Sequence, residues 1–287
     1  MVSKRDASEG HVTSRDGTRI GYVQQGSGPG VVLVQGAMAD ARQYRDLAQA
    51  LAPSLTVYSA DRRGRGLSPK PYDAEHDIAR DVEDIDAILA ASGAGYVFGL
   101  SSGAVITLEA ARTLARVTRA AVFEPPFYPD GVPQEGIRRL NAAIDRGDLG
   151  AALAESLITA GTAPAALRML PRPVSHVLGR AALRVDSLSG GGRTTLRDLV
   201  PGVRYDFNAV AGMDGRIDIF GTVDKPVLLL SGTKSPAFLR QSVRTLQGIL
   251  PDARHVELDG LGHDGPWNRS RGGRPLVAAA ALRAFFT

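Results

Sequence analysis

The sequence predicts an α/β protein built on a doubly wound, mostly parallel sheet with helices on both faces. Three observations predict it. Short runs such as residues 31–34 and 227–230 are apolar at every position rather than at alternate ones, as strands must be when both faces of a sheet are covered. Most of these runs are followed by a longer segment with apolar residues at i, i+3 and i+4 and charges opposite. The rhythm breaks once, between Pro125 and about Tyr205, where several helical patterns follow one another with no convincing strand.

Taken in order, "HVTSRDGTRIGYVQQG" reads as an antiparallel hairpin, with Asp16-Gly17 supplying the turn. "GVVLVQG", "LTVYSADRRG", "GYVFGLSSG", "RAAVFEPP", "KPVLLLSG" and "ARHVELDG" then supply six further strands. Between and after them, "DARQYRDLAQALA", "DIARDVEDIDAILAAS", "SGAVITLEAARTLA", "PAFLRQSVRTLQGIL" and "GRPLVAAAALRAFF" carry the helical period. The interruption holds "QEGIRRLNAAIDRG", "LGAALAESLITAG", "APAALRML" and "PVSHVLGRAALRV" as helices, and "SLSGGGRTT" as a flexible turn. The expected organisation is therefore a core in two parts, residues 1–124 and 206–287, split by a helical cap insertion over residues 125–205. Such an insertion belongs over the C-terminal ends of the strands, where open α/β sheets bind their ligands.

Composition narrows the function classes. Of the 287 residues, 44% are hydrophobic and 22% charged, and no apolar stretch approaches the roughly 18 residues that a membrane helix needs. The opening "MVSKRDASEG" has no apolar middle region, so the expected compartment is the cytoplasm. There is no cysteine, which removes disulfides, thiol nucleophiles and thiolate metal ligands and leaves oxygen and nitrogen groups to do any chemistry. The net charge is only +4, and the densest basic cluster, Arg62, Arg63 and Arg65, is too small to track a phosphate backbone; no nucleic-acid partner is expected.

The chemistry centres on "GLSSG". A serine between two glycines, after a buried strand and before a helix, fits the sharp turn that holds a nucleophilic hydroxyl above a sheet. The glycines are required where the strand and helix pack too closely for a Cβ. Ser101 is thus the candidate nucleophile, and it needs an imidazole to take its proton. Of five histidines, His263 alone lies after the final strand in a glycine-rich loop; His11, His76, His176 and His255 read as strand or surface positions.

On these segments the chain resembles the α/β-hydrolase superfamily, as a capped member with a serine nucleophile. "VVLVQGAM" is similar to the family's oxyanion strand, "DRRGRGLS" to its Asp-x-Arg-Gly-x-Gly-x-Ser segment, "PVLLLSG" to the strand before the usual acid, and "LGHDGPW" to its histidine loop. The resemblance implies a triad in the chain order nucleophile, acid, histidine. It also implies an oxyanion hole made by the backbone N–H groups of Ala37 and Ser102. The Ser102 hydroxyl is expected to fit the turn, with a hydrogen bond to substrate as the alternative.

Two positions depart from the family pattern. Ser235 stands where most members carry the acid, and Gln35 stands where the family commonly has histidine. Some triads of this fold draw their acid instead from the end of the preceding core strand, where "AVFEPP" offers Glu124. Glu124 is therefore the expected acid, with Asp264, Asp259 and Asp224 as competitors. Asp61 and its neighbouring arginines are expected to order the adjoining loop, and Trp267 and Phe127 are candidate pocket residues.

The implied activity is hydrolysis of an ester, lactone or thioester of an apolar small molecule through an acyl-enzyme, with no cofactor and no metal. Two alternatives remain open at this point: non-hydrolytic lyase, cyclase or cofactor-free catalysis on the same fold, and a ligand-binding protein with a relict triad. A serine at the elbow argues against the epoxide hydrolase and haloalkane dehalogenase chemistries, which use aspartate there.

Overall fold

A computed structural model describes residues 7–188 and 194–287. Its strands are β1 (Ser8–Thr13), β2 (Arg19–Gly26), β3 (Gly30–Val34), β4 (Thr56–Ala60), β5 (Tyr96–Leu100), β6 (Arg119–Phe123), β7 (Val227–Gly232) and β8 (Ala253–Leu258). They form one sheet in the order β1-β2-β4-β3-β5-β6-β7-β8. The β1–β2 and β2–β4 pairs are antiparallel and every other neighbouring pair is parallel. The opening hairpin closes where Gly17 takes a φ of 82° and the Thr18 N–H donates to Asp16 Oδ1 at 3.0 Å.

The helices are α1 (Arg45–Leu51), α2 (Ile78–Ser92), α3 (Ser102–Thr113), α4 (Gln134–Asp145), α5 (Leu149–Thr159), α6 (Ala165–Met169), α7 (Arg172–Leu188), α8 (Leu196–Leu199), α9 (Val203–Ala211), α10 (Ala237–Ile249) and α11 (Pro275–Phe286). Helix α2 shows why these segments are helical. Asp77 caps it by accepting from the Ala79 N–H at 3.0 Å, its apolar residues recur on one face, and Gly93 ends it in the left-handed region.

Successive strand residues feed opposite layers. Val32, Val34, Val97, Val122 and Leu229 pack with α2, α3 and α10, whereas Val31, Leu33, Phe98, Phe123 and Leu230 pack with α1 and α11. Both layers are closed, which is why those strands are apolar throughout. Truncating a side chain such as Phe123 to alanine would cost about 3–5 kcal/mol, because transfer and cavity terms add.

Between β6 and β7 the described residues hold α4 to α9 and no strand. These helices build a third apolar cluster that includes Leu140, Leu153, Leu183, Val203 and Phe207, and Met38 from the loop after β3 inserts into it. The boundary expected at Tyr205 falls inside α9, because the apolar spacing of Val203, Phe207 and Val210 continues past it. The glycine-rich turn expected in "SLSGGGRTT" lies mostly outside the described residues. The segment from Asp40 to Ala52 is not one helix: its first turn, Ala41–Tyr44, is a 3-10 turn capped by Asp40, and α1 follows. Among the described residues, no helix is long and apolar enough to cross a membrane.

The sheet order carries a functional consequence. From β3 the chain passes to β4 on one side and then returns to β5 on the other, so the connections diverge between β3 and β5. A crevice opens at the C-terminal ends of strands at such a switch point.

Candidate active site

Among the described residues three non-glycines have positive φ, and all three follow core strands at that crevice: Met38 (59°) in the loop after β3, Ser101 (56°) directly after β5 and Glu124 (50°) directly after β6. Left-handed backbone at such residues is costly and persists only where the surroundings over-determine it, which is a mark of functional sites. At Ser101 the constraint is visible. Its N–H donates to Phe123 O at 2.9 Å, and α3 starts at the next residue. A Cβ on Gly99 would come within 2.2 Å of Gly103 O, and one on Gly103 within 2.4 Å of Gln35 O, so only glycine fits on either side of the turn.

His263 sits in the loop after β8, in a turn closed by the Gly265 N–H donating to Gly262 O at 2.9 Å. Its Nδ1 lies 2.6 Å from Glu124 Oε2, the geometry of Nδ1–H donating to a carboxylate. Glu124 is 0% exposed, and its other oxygen accepts from the Gly232 N–H at 2.7 Å. The buried carboxylate is thus held at both ends, one by the backbone and one by the imidazole. The competing acids have other surroundings: Asp259 accepts from Thr233 Oγ1 at 3.3 Å, and Asp224 pairs with Lys225 at the surface at 2.8 Å. Asp264 follows His263, but the imidazole Nδ1 faces Glu124. Ser235 is buried, and its hydroxyl has no hydrogen-bond partner among the described residues.

Ser101 and His263 line one cavity of about 110 Å³, together with Gly36, Ala37 and Ser102. The remaining wall is mostly apolar, with Met38, Leu157, Val203, Phe207, Val210 and Trp267 contributing. Phe127 does not line it. That ring packs edge-on against Phe220 at 5.7 Å, while its neighbours Pro126 and Tyr128 face the cavity. As the first residue of α3, Ser102 presents one of the N–H groups that a helix leaves without an intrahelical acceptor.

Behind the cavity lies a buried polar cluster. Asp61 accepts from the Ala41 N–H at 2.6 Å and the Leu67 N–H at 2.7 Å, tying the loops after β3 and β4 together. Burial outweighs those hydrogen bonds and pushes its carboxyl up to about 6. Arg63 spans Asp84 at 2.7 Å and Asp16 at 2.5 Å, and it is 2% exposed. Arg62 bonds Asp81 at 3.1 Å and Asp206 at 2.5 Å. Asp81 feels burial first, but the Arg62 charge and the hydrogen bond from His76 reverse it and bring the carboxyl down to about 2. Arg65 is buried too and pairs with Asp206, so the three arginines are internal ties and not a phosphate-binding surface.

Besides Phe127, three positions differ from the sequence reading. The Ser102 hydroxyl does more than fit the turn, since it donates to Asp206 Oδ1 at 2.5 Å. His76 is not a surface residue; it is buried, with Nε2 2.8 Å from Asp81 Oδ2. Asp206 itself was absent from the sequence expectations. The available signal was an acid flanked by Val203, Phe207 and Val210 on the apolar side of α9, a place that a carboxylate occupies only when it is paired.

Comparisons with known proteins agree with this architecture. The sequence profile of the Alpha/beta hydrolase family matches residues 31–279. An alpha/beta hydrolase from Sphaerobacter thermophilus is similar over 97% of this chain and 100% of its own, at 32% identity and a TM-score of 0.75. A thermophilic esterase from Thermogutta terrifontis with malate bound shares the fold, with 19% identity, coverage of 97% and 98% and a TM-score of 0.72. Among curated sequences, the polyketide synthase ThaQ of Burkholderia thailandensis is 28% identical over 263 residues, 86% of this chain and 11% of that protein. Matches to the first three such relatives span between 11% and 35% of their lengths.

Proposed function

Because the chain belongs to the alpha/beta hydrolase family, we propose that it is a serine hydrolase acting on an ester, lactone or thioester of a small molecule through an acyl-enzyme. The observation that carries this reading is the 2.6 Å contact between His263 Nδ1 and the buried Glu124, beside a strained Ser101 that lines the same cavity as His263. In this scheme Glu124 holds the imidazole with Nδ1 protonated, which leaves Nε2 free to accept the Ser101 proton. The Ser101 oxygen adds to the carbonyl carbon, and the carbonyl oxygen becomes an oxyanion. The N–H groups of Ala37 and Ser102 stabilise that charge, each worth about 3 kcal/mol in the transition state. His263 then protonates the leaving group, and the bond to it breaks. Water, deprotonated by His263, attacks the acyl-enzyme and releases the acid and free Ser101.

The helices between β6 and β7 act as the cap, supplying Leu157, Val203, Phe207 and Val210 to the cavity wall. Among the described residues the cavity lining includes no arginine or lysine, so these residues offer no permanent positive charge to a carboxylate on the substrate. The acyl group this cavity suits is short, apolar and uncharged, unlike the malate carried by the Thermogutta esterase.

The test is covalent. Labelling with a fluorophosphonate, followed by peptide mass spectrometry, should mark Ser101 alone, and Ser101→Ala should abolish both labelling and hydrolysis of p-nitrophenyl butyrate. Folded protein that resists the probe and hydrolyses no ester would remove the acyl-enzyme reading and favour proton-transfer chemistry or simple binding.

A further inference from the structure

We infer that Asp206 is a positioning residue for the oxyanion-binding loop, acting through Arg62, Arg65 and Ser102; this rests on the serine-hydrolase reading above. Asp206 comes from α9, whereas its three partners come from the core. Its Oδ1 accepts from Ser102 Oγ and from Arg62 Nη1, both at 2.5 Å, and its Oδ2 accepts from Arg65 Nη2. The two guanidiniums in turn hold the loop after β3 by its carbonyls. Arg65 Nη1 donates to Gly36 O at 2.9 Å and Ala39 O at 3.4 Å, on either side of Ala37 and the left-handed Met38. Arg62 Nη1 reaches Gln35 O at 3.4 Å and Ser102 Oγ at 3.3 Å. Arg65 Nη2 also donates to Gly202 O at 2.9 Å, immediately before α9.

One carboxylate therefore gathers the ties to both expected oxyanion donors. The Ala37 N–H lies in the loop that the arginines grip, and the Ser102 N–H belongs to the residue whose hydroxyl Asp206 accepts. Two aspartates, Asp81 and Asp206, face the two guanidiniums in this buried cluster. Without the Asp206 charge, Arg62 keeps its ion pair with Asp81 while Arg65 loses its ion pair with Asp206, and the freed donors must turn to other acceptors. A strained loop that is no longer held in place relaxes, and an oxyanion donor displaced by a fraction of an ångström loses most of its effect.

Asp206→Asn keeps the shape and removes the charge. The expected result is a fall in kcat of about a hundredfold, in the range typical for loss of an oxyanion donor, with KM within about threefold of wild type. The Ki of a trifluoromethyl ketone, whose adduct on Ser101 places an oxyanion in the same hole, should rise by the factor that kcat falls. A folded variant with wild-type kcat, or one whose kcat falls while the ratio of Ki to KM stays constant, overturns the inference. If Asp206→Asn does not fold, Ser102→Ala decides: it keeps the N–H, removes one arm of the network and should lower kcat about tenfold at unchanged KM, roughly what one hydrogen bond to a charged group is worth. Unchanged turnover in that variant overturns the inference. Wild-type protein that neither labels at Ser101 nor turns over ester would defeat the serine-hydrolase reading and this one together; wild-type activity matched by both variants would defeat this one alone.

Discussion

Replacing Glu124 by glutamine probes the centre of the proposed mechanism with a change of one atom. The carboxylate now accepts from the Gly232 N–H at 2.7 Å and faces His263 Nδ1 at 2.6 Å. An amide has one accepting oxygen. The Gly232 N–H is fixed by the backbone at the end of β7, and turning an amide N–H toward it would set two donors face to face in a fully buried position. The glutamine oxygen therefore takes Gly232, and its NH2 points at His263 Nδ1. The ring answers by moving its proton to Nε2, so that the nitrogen meant to accept the serine proton already carries one. The tautomer is wrong and the electrostatic support for the imidazolium is gone, a combination that costs about 10⁴ in kcat, or roughly 5.5 kcal/mol of barrier. Because Gly232 keeps its acceptor, the variant should fold with nearly the wild-type urea midpoint. Stopped-flow and steady-state hydrolysis of p-nitrophenyl butyrate at pH 7.5 would measure the loss. A folded Glu124→Gln protein within tenfold of wild-type kcat would refute the assignment, and a collapse in Asp264→Asn instead would move the acid there.

Three further outcomes follow from the same geometry. Gly99→Ala forces a Cβ to 2.2 Å from Gly103 O, a backbone atom that cannot step aside, and should lower unfolding free energy by about 3 kcal/mol or more in urea titrations; a soluble variant of wild-type stability would show that the elbow is looser than described. Asp61 is raised by burial from 3.8 to about 6, so the folded state holds its proton more tightly than the unfolded one, and its contribution to stability is lost as pH rises from about 4 through 6. Asp61→Asn should flatten the pH dependence of unfolding free energy across that window by about 3 kcal/mol, and identical slopes in the two proteins would count against the shift. Finally, an ester of butyric acid should be favoured over the matching half-ester of succinic acid by at least about 10² in kcat/KM, since among the described residues the cavity wall has no arginine or lysine to pair with a carboxylate. Equal values would show that the acyl group lies elsewhere.

Much of the arrangement was legible in the chain because it is written locally. The runs at β3 and β7 are apolar at every position because helices cover both faces, and "GLSSG" announces a tight strand-to-helix turn because only glycine tolerates the contacts at positions 99 and 103. Glu124 was singled out by the family resemblance, which places an acid at the end of that core strand in some members, and the fold brings it to His263 across 139 residues. His76 was misjudged for the opposite reason. Nothing beside it in sequence marks it as buried, and its placement depends on how Tyr205 of α9 packs edge-on against its ring at 4.6 Å.

What the sequence determined by itself was the class of fold, the succession of elements and the residues able to carry chemistry, since periodicity, turn residues and strain depend on near neighbours along the chain. What only the tertiary structure decided was which of those residues meet. Ser102 and Asp206 stand 104 positions apart, and their 2.5 Å contact exists because α9 seats its one buried acid over two arginines from the loop after β4. Pairings of that kind are set by the packing of whole helices, and local free energies carry no record of the partner that a buried charge will find.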